Sequence, residues 1–298
     1  PKDFLPNSNR HLQACLQGCP LLFGRNQSVS FGFKRNKVPF KRNLRLKENS
    51  KHNHSEMKCD ARNRAEHRTS KKLNERNLTM KKIKGGVTAP KGFAAMGLKA
   101  GIKKDKKDMA MIYSSTPCVA AGTFTTNVVK AAPVKWDQKI VYESEKAQAV
   151  ICNSGIANAC TGEEGFGCCK ETAKAASLAL NIPEDSVLVA STGVIGQQIP
   201  IEKIKKGIEN MTPLLSESIS AGTLAAEAIM TTDTVKKEIA VQVEIDGKNV
   251  TVGGMCKGSG MIHPNMCTML GFITTDVVIS KELLQAALSE SVKDTYNM

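Results

Sequence analysis

Two short apolar runs, each closed by a turn of hydroxyl residues and glycine, most constrain how this chain can fold. Residues 148–152 end in Asn153-Ser154-Gly155, and residues 187–190 end in Ser191-Thr192-Gly193. An alanine-rich segment with helical spacing, residues 163–180, lies between them. Strands that alternate with helices predict an α/β or mixed α+β enzyme core. Backbone N–H groups exposed at such turns can form an oxyanion hole, although each turn alone is also compatible with an ordinary tight turn.

Other segments predict the same class of fold. The pair Asp246-Gly247 stands between two alternating runs and is the strongest hairpin signal in the chain. Residues 85–93 are loop-like, and 103–107 is a charged turn. The pattern also predicts strands over 109–113, 120–126 and 269–279, and helices over 200–208, 214–230 and 281–293. No apolar run approaches the roughly 18 residues of a membrane span, so no membrane partner is expected.

The net charge of +14 is concentrated in the first 79 residues. These contain 18 Lys and Arg against 6 Asp and Glu, which accounts for +12 and leaves the remainder nearly neutral. Low hydrophobicity with high charge predicts a disordered basic leader over residues 1–79. It could be a nucleic-acid-binding arm, an organellar transit peptide, or non-native upstream sequence with Met80 as the true start. The last interpretation is favoured because the folded pattern begins directly after Met80.

Histidine and cysteine usage excludes several kinds of site. Of five histidines only His263 lies after the leader, so a histidine-based triad has one candidate member. The ten cysteines show no CxxC or zinc-finger spacing, and buried reduced thiols of a cytosolic protein are the favoured interpretation. No metal site, P-loop, GxSxG elbow or HExxH motif is present in the sequence.

The segment Lys257-Gly-Ser-Gly-Met-Ile-His-Pro-Asn-Met-Cys-Thr-Met-Leu270 offers a different nucleophile. Thr268 stands where a glycine-containing loop becomes an apolar run. A threonine hydroxyl needs a base, and a free α-amino group on the same residue can serve if the chain is cut just before it. Lys257 and the turn at 191–193 could stabilise the oxyanion of such a self-cleavage. Read alone, Lys257 is also compatible with a solvated loop lysine.

That segment closely resembles the cleavage motif of the ornithine acetyltransferase (ArgJ) family. Residues 191–196 (STGVIG) and 228–234 (AIMTTDT) match two further motifs of the family, and residues 85–93 (GGVTAPKGF) resemble its opening. The resemblance covers residues 80–298 with the motifs in the family's order. It implies a two-domain α/β fold of the ArgJ/DmpA type with an N-terminal nucleophile.

The resemblance also implies an activity and the residues that perform it. Members transfer acetyl from N-acetylornithine to glutamate through an acetyl-threonine, and some also use acetyl-CoA; no cofactor is needed. Thr268 matches the nucleophile, and the cut falls between Cys267 and Thr268. Thr192 and Gly193 match the pair that stabilises the oxyanion. Three positions match substrate contacts, namely Thr231, Lys257 and Thr268, with Thr232 hard to distinguish from Thr231.

Family members assemble as two α and two β chains. The expectation is therefore a cytoplasmic heterotetramer that acts on small molecules and binds no nucleic acid. Residues 80–267 would form the α chain and residues 268–298 the start of the β chain. The chain ends 31 residues after the cut (298 − 267), which suggests an incomplete β chain and an inactive fragment.

Cys267 replaces the usual alanine before the cut, and processing is expected to survive this change. Two other functions stay open. One is an amidohydrolase or aminopeptidase with the same nucleophile chemistry, and the other is nucleic-acid binding through the leader.

Overall fold

A mixed sheet of nine strands forms the frame of the protein in the computed structural model, which describes residues 19–25, 80–245, 247–258 and 269–296. The strands are β1 (Cys19–Arg25), β2 (Met80–Ile83), β3 (Phe93–Leu98), β4 (Met109–Gly122), β5 (Ala147–Ile156), β6 (Val187–Val194), β7 (Lys237–Ile245), β8 (Lys248–Lys257) and β9 (Leu270–Val278). The helices of this part are α1 (Ala132–Glu143), α2 (Gly162–Leu180), α3 (Ile201–Met211), α4 (Ile219–Ala228) and α5 (Lys281–Lys293). The predicted mixed α/β class is confirmed.

The strand order is β2-β7-β8-β9-β1-β4-β5-β6, with β3 paired to β4. Most neighbours are antiparallel, whereas β5 and β6 are parallel and are connected through α2, as a parallel crossover requires. In their register Ser154 lies opposite Thr192, and Gly155 lies opposite Gly193. The two turns picked out from the sequence are therefore adjacent in space.

Helices cover both faces of the central strands. Trp136 of α1, Ile204 of α3 and Ala225 of α4 join the main hydrophobic cluster, which contains consecutive residues of β4 (109–112) and therefore lies on both faces of the sheet there. The cluster also contains Ala120, further along β4. Helix α5 packs its Leu284, Leu288 and Val292 against Val119 and Ala121, the neighbours of Ala120 in β4. Because side chains alternate along a strand, α5 lies on the face of β4 opposite the side chain of Ala120.

One strand, β4, replaces the two that the sequence pattern predicted over 109–113 and 120–126. The ladder between β4 and β5 shifts register between Tyr113 and Cys118, and Pro117 lies within that irregularity. Proline cannot donate to a ladder and is tolerated at such bulges. The Ser114 side chain donates to the Thr116 carbonyl at 2.7 Å, which satisfies part of the interrupted backbone.

Other boundaries differ for local reasons. The helix predicted over 214–230 begins at Ile219, because Ser218 caps it by accepting the Ala221 N–H, and a short 3₁₀ turn spans Thr212–Leu214. Strand β3 and helix α1 were not predicted. The hairpin predicted at Asp246-Gly247 is confirmed by the pairing of β7 with β8.

Within residues 1–79, for which the sequence predicts disorder, the structure describes residues 19–25. Their backbone forms β1, which pairs parallel to β9 and antiparallel to β4. The remaining leader residues lie outside the described part, as do Cys267 and Thr268, so the proposed α and β chain boundaries stay predictions. No helix in the described ranges is both long enough and apolar enough to cross a membrane.

Candidate active site

The paired turns at the ends of β5 and β6 form the first component of the candidate site. Thr192 is 2% exposed, and Gly193 adopts a φ of 136° opposite Gly155 at 117°. A Cβ on Gly193 would overlap the Gly155 carbonyl, so only glycine allows these backbones to approach so closely. The predicted oxyanion pair Thr192 and Gly193 thus lies in a rigid, tightly packed stretch of backbone.

The loop that carries Thr231 is fastened to these turns. The Ser154 hydroxyl donates to the carbonyl of Ala228 at 2.5 Å, and the Lys103 ammonium donates to the carbonyl of Met230 at 2.9 Å. Both carbonyls come just before Thr231, so the two bonds hold the end of α4 beside the β5 turn. Thr231 is partly buried, whereas its neighbour Thr232 is exposed.

Lys103 is positioned by a buried carboxylate that sequence reasoning missed. Asp108 is fully buried and accepts hydrogen bonds from the backbone N–H groups of Ala100 (2.6 Å), Gly101 (3.1 Å), Ile102 (2.7 Å) and Lys103 (2.8 Å). One side chain therefore satisfies four consecutive donors and fixes the loop that places Lys103. The only signal in the sequence is an Asp at the junction between a lysine-rich turn and an apolar strand.

Lys257, at the end of β8, is 4% exposed and donates to the Gly258 carbonyl at 3.0 Å. The interpretation as a solvated loop lysine is therefore wrong. Burial lowers the pKa of Lys257, and the nearby Asp233 carboxylate opposes that shift. A buried ammonium of this kind is suited to binding an anionic group.

Asp233 connects the Thr231 loop to the end of β8. Its carboxylate accepts the Thr231 N–H at 3.2 Å and the Gly258 N–H at 2.7 Å, and it pairs with the Lys237 ammonium at 2.6 Å. Through these contacts Thr231 and Lys257 belong to one bonded assembly.

The Cys152 thiol is near enough to both lysines of the site for their charges to act on it. Burial raises its pKa to about 12, and the charges of Lys257 and Lys103 oppose this shift only in part. Burial also lowers the pKa of Lys103. The Cys152 thiol stays protonated at neutral pH and is not a competing nucleophile.

The structure brings together four of the predicted site residues: Thr192, Gly193, Thr231 and Lys257. Cys267 and Thr268 lie outside the described residues, as does His263. Leu270, two residues after Thr268 in the chain, pairs with Lys257 in the ladder between β8 and β9. Among the described residues no cluster of three His, Cys, Asp or Glu side chains could hold a metal ion.

Comparison with known proteins identifies relatives of this arrangement. The chain is 51% identical over 210 residues to the arginine biosynthesis bifunctional protein ArgJ of Thermotoga neapolitana, covering 70% of this chain and 52% of the relative. It is also 51% identical over 231 residues to an ArgJ protein of Clostridium acetobutylicum, covering 77% and 54%. The chain therefore spans about half the length of the curated relatives it matches.

Solved structures show the same similarity. An arginine biosynthesis bifunctional protein from Bacillus halodurans matches with a TM-score of 0.61 and 42% identity, covering 64% of this chain and 99% of that one. An ornithine acetyltransferase from Mycobacterium tuberculosis, complexed with ornithine, matches with a TM-score of 0.58 and 42% identity, covering 62% and 98%. The model of the ArgJ family matches residues 94–298. The chain belongs to the ArgJ family.

Proposed function

We propose that the complete protein transfers acetyl from N-acetylornithine to glutamate through an acetyl ester on Thr268. The observation that carries this proposal is the bonded assembly of the Thr192-Gly193 turn, Thr231 and Lys257. Leu270, which pairs with Lys257, is two residues after Thr268 in the sequence. The names of the relatives in arginine biosynthesis, and the ornithine bound in one of them, support this substrate class.

In the proposed first half-reaction, the Thr268 hydroxyl attacks the acetyl carbonyl of N-acetylornithine. The α-amino group of Thr268 takes the hydroxyl proton and delivers it to the departing nitrogen, so that ornithine leaves and an acetyl ester remains. The Gly193 N–H and the Thr192 hydroxyl would stabilise the negative oxygen of the tetrahedral intermediate. Their rigid surroundings support this role, because preorganised donors require no rearrangement during the reaction.

In the second half-reaction, the amino group of glutamate attacks the ester carbonyl and loses a proton to the Thr268 amine. N-acetylglutamate leaves, and the hydroxyl of Thr268 is restored. Both substrates carry an α-carboxylate, and the buried Lys257 ammonium supplies a matching positive charge for it. A shared carboxylate site explains how one pocket could serve the two half-reactions in turn.

Self-cleavage between Cys267 and Thr268 is part of the proposal, because it creates the α-amino group. Chain lengths support it. The match to the Bacillus halodurans chain covers 64% of 298 residues, about 190, and these make up 99% of that crystallised chain. By contrast, 210 residues make up only 52% of the Thermotoga neapolitana relative, which is therefore about 400 residues long. A crystallised chain of half the family's length is what a cut at this point would leave.

The finer expectations also belong to the proposal. These are a heterotetramer of α and β chains, a cytoplasmic location and use of acetyl-CoA as an alternative acetyl donor. The buried thiols of Cys152, Cys168 and Cys169 form no disulfide, which is compatible with a reducing compartment.

Denaturing electrophoresis of the complete protein beside its Thr268→Ala variant tests the mechanism. We expect two fragments from the wild type, and one uncleaved, inactive chain from the variant. Incubation with N-acetylornithine, with and without glutamate, then separates transfer from hydrolysis. Ornithine released at the same rate without glutamate would point to an amidohydrolase, and an uncleaved wild type would overturn the proposed nucleophile.

A further inference from the structure

We propose that Asp233 is a positioning residue. It sets the carboxylate-binding geometry of this site by holding Thr231 and Lys257 in fixed positions relative to each other. The inference rests on the proposed function and extends it to a side chain that touches neither the reacting atoms nor the substrate. It accounts for the selection of substrates that carry an α-carboxylate.

The geometry of Asp233 is that of a clamp between two segments that are distant in sequence. Its side chain is only 3% exposed, and all its described partners come from the Thr231 loop, the start of β7 and the end of β8. The bonds to the N–H groups of Thr231 and Gly258 fix the backbone beside both predicted substrate contacts. Burial alone would raise the pKa of Asp233, but the hydrogen bonds from Lys237, Gly258 and Thr231 outweigh it and lower that pKa. The clamp is therefore charged at neutral pH.

Close packing leaves the clamp little freedom. A Cβ on Gly258 would lie only 2.9 Å from the Asp233 Oδ1 atom, so the backbone after Lys257 passes directly against the carboxylate. Because Gly258 follows Lys257, a shift of the carboxylate would move the end of β8. The ammonium of Lys257 bonds to the carbonyl of that same Gly258, so it would move as well.

Charge provides a second link between Asp233 and Lys257. Described groups that act electrostatically on the Lys257 ammonium include Asp233, Cys152 from β5 and Lys237 from β7. Asp233 favours the protonated ammonium, whereas Lys237 disfavours it, and the neutral Cys152 thiol has little effect at pH 7. Neutralising Asp233 should therefore lower the pH at which substrate binding is lost, and neutralising Lys237 should raise it.

The test uses the complete protein and measures KM and kcat for N-acetylornithine between pH 7 and pH 10. For Asp233→Asn we expect KM to rise about tenfold at pH 8, because one charge-assisted contact is lost, and kcat to change less. The alkaline limb of the pH profile should move to lower pH. For Lys237→Gln the limb should move to higher pH, because a positive charge that opposes Lys257 is removed.

Asp276 provides a matched control. It too accepts two backbone N–H bonds, from Thr251 at 2.7 Å and Lys91 at 3.3 Å, but it contacts neither Thr231 nor Gly258. The Asp276→Asn variant should lower the melting temperature while leaving KM and the pH profile unchanged.

Two outcomes would overturn the inference. One is an Asp233→Asn variant whose KM and pH profile match those of Asp276→Asn, and the other is a shift of the same sign in the Asp233→Asn and Lys237→Gln variants. If Asp233→Asn does not fold, the Lys237→Gln shift alone decides, since its absence removes the electrostatic link. A wild type that folds but transfers no acetyl would instead refute the proposed function.

Discussion

Gly193 of β6 lies directly opposite Gly155 of β5, and both residues have positive φ angles. Their backbones approach so closely that a Cβ on Gly193 would overlap the Gly155 carbonyl. The contact holds two turns from separate strands together next to the buried Thr192. The effect of this close contact on stability can be separated from the effect of the backbone conformation by comparing two glycine substitutions.

The Gly193→Ala substitution should cost about 3 kcal/mol of unfolding free energy or more, because it adds a backbone clash to an unfavourable φ. Acetyl transfer and self-cleavage should both be lost, since the oxyanion donor is displaced. The control is Gly196→Ala, where φ is 78° and a Cβ meets nothing within 4 Å. It should cost only about 1–2 kcal/mol from the backbone conformation. Urea unfolding measures both, and equal losses would contradict the close-contact explanation.

Asp108→Asn should destabilise the protein by about 3 kcal/mol or more, because an amide cannot accept all four backbone N–H groups that the carboxylate satisfies. The exposed Asp105, which lies 3.9 Å from the Lys99 ammonium, is the control. Asp105→Asn should change the unfolding free energy by less than about 0.5 kcal/mol. Thermal unfolding of the two variants beside the wild type distinguishes them. A small effect at Asp108 would mean that the loop does not depend on this carboxylate.

Lys103→Met should reduce acetyl transfer about tenfold, because the loop that carries Thr231 loses the charged hydrogen bond to the Met230 carbonyl. The neighbouring Lys104 is exposed, so Lys104→Met removes the same charge without that bond. Steady-state kinetics of the complete protein should show wild-type rates for Lys104→Met. If both variants lose activity equally, the general charge of the loop would be responsible instead.

Asp137→Asn should remove a pH dependence of stability. Burial raises the pKa of Asp137 well above its usual value, although the N–H of Val189 donates to its carboxyl at 2.8 Å. Above pH 3.8 the unfolded chain ionises this group while the folded chain holds the proton. The wild type therefore loses up to about 1.4 kcal/mol per pH unit between the unfolded and folded pKa values. The variant should lack this slope.

Urea unfolding at pH 5 and pH 7 checks the expectation. The free-energy difference between Asp137→Asn and the wild type should move in favour of the variant as the pH rises. Asp185→Asn at an exposed position controls for the change in net charge. Parallel pH profiles for all three proteins would show that Asp137 is ionised in the folded state.

The elements best predicted from sequence were those whose pattern is local. The Asp246-Gly247 pair predicts the hairpin, and the helical spacing before Pro183 predicts the start of α2 to within one residue. The pattern over 109–126, by contrast, predicted two strands where β4 continues through Pro117, because proline is tolerated at the point where the ladder with β5 is interrupted. Strand β1 was missed because its pairing with β4 and β9 joins residues far apart in the chain.

Family motifs predicted Thr192, Gly193, Thr231 and Lys257 as site residues, and the structure brings these four together. Their supports were missed. Asp108, Lys103 and Asp233 are charged residues in polar segments, and sequence alone gives such residues a solvated role. Their burial arises from loops that fold back onto the sheet from elsewhere in the chain, a property that no local pattern encodes.

The place of β1 has a consequence for assembly. Within the described residues, β1 is the only strand that joins β2, β7, β8 and β9 to β3, β4, β5 and β6. It also lies outside the residues that match the family model. A single strand, β1, therefore connects two half-sheets. If β1 were removed, β4 and β9 would each have unpaired N–H and C=O groups along the edge that it covers. The half-sheet that carries Lys257 and the half-sheet that carries Thr192 and Gly193 are therefore joined through β1.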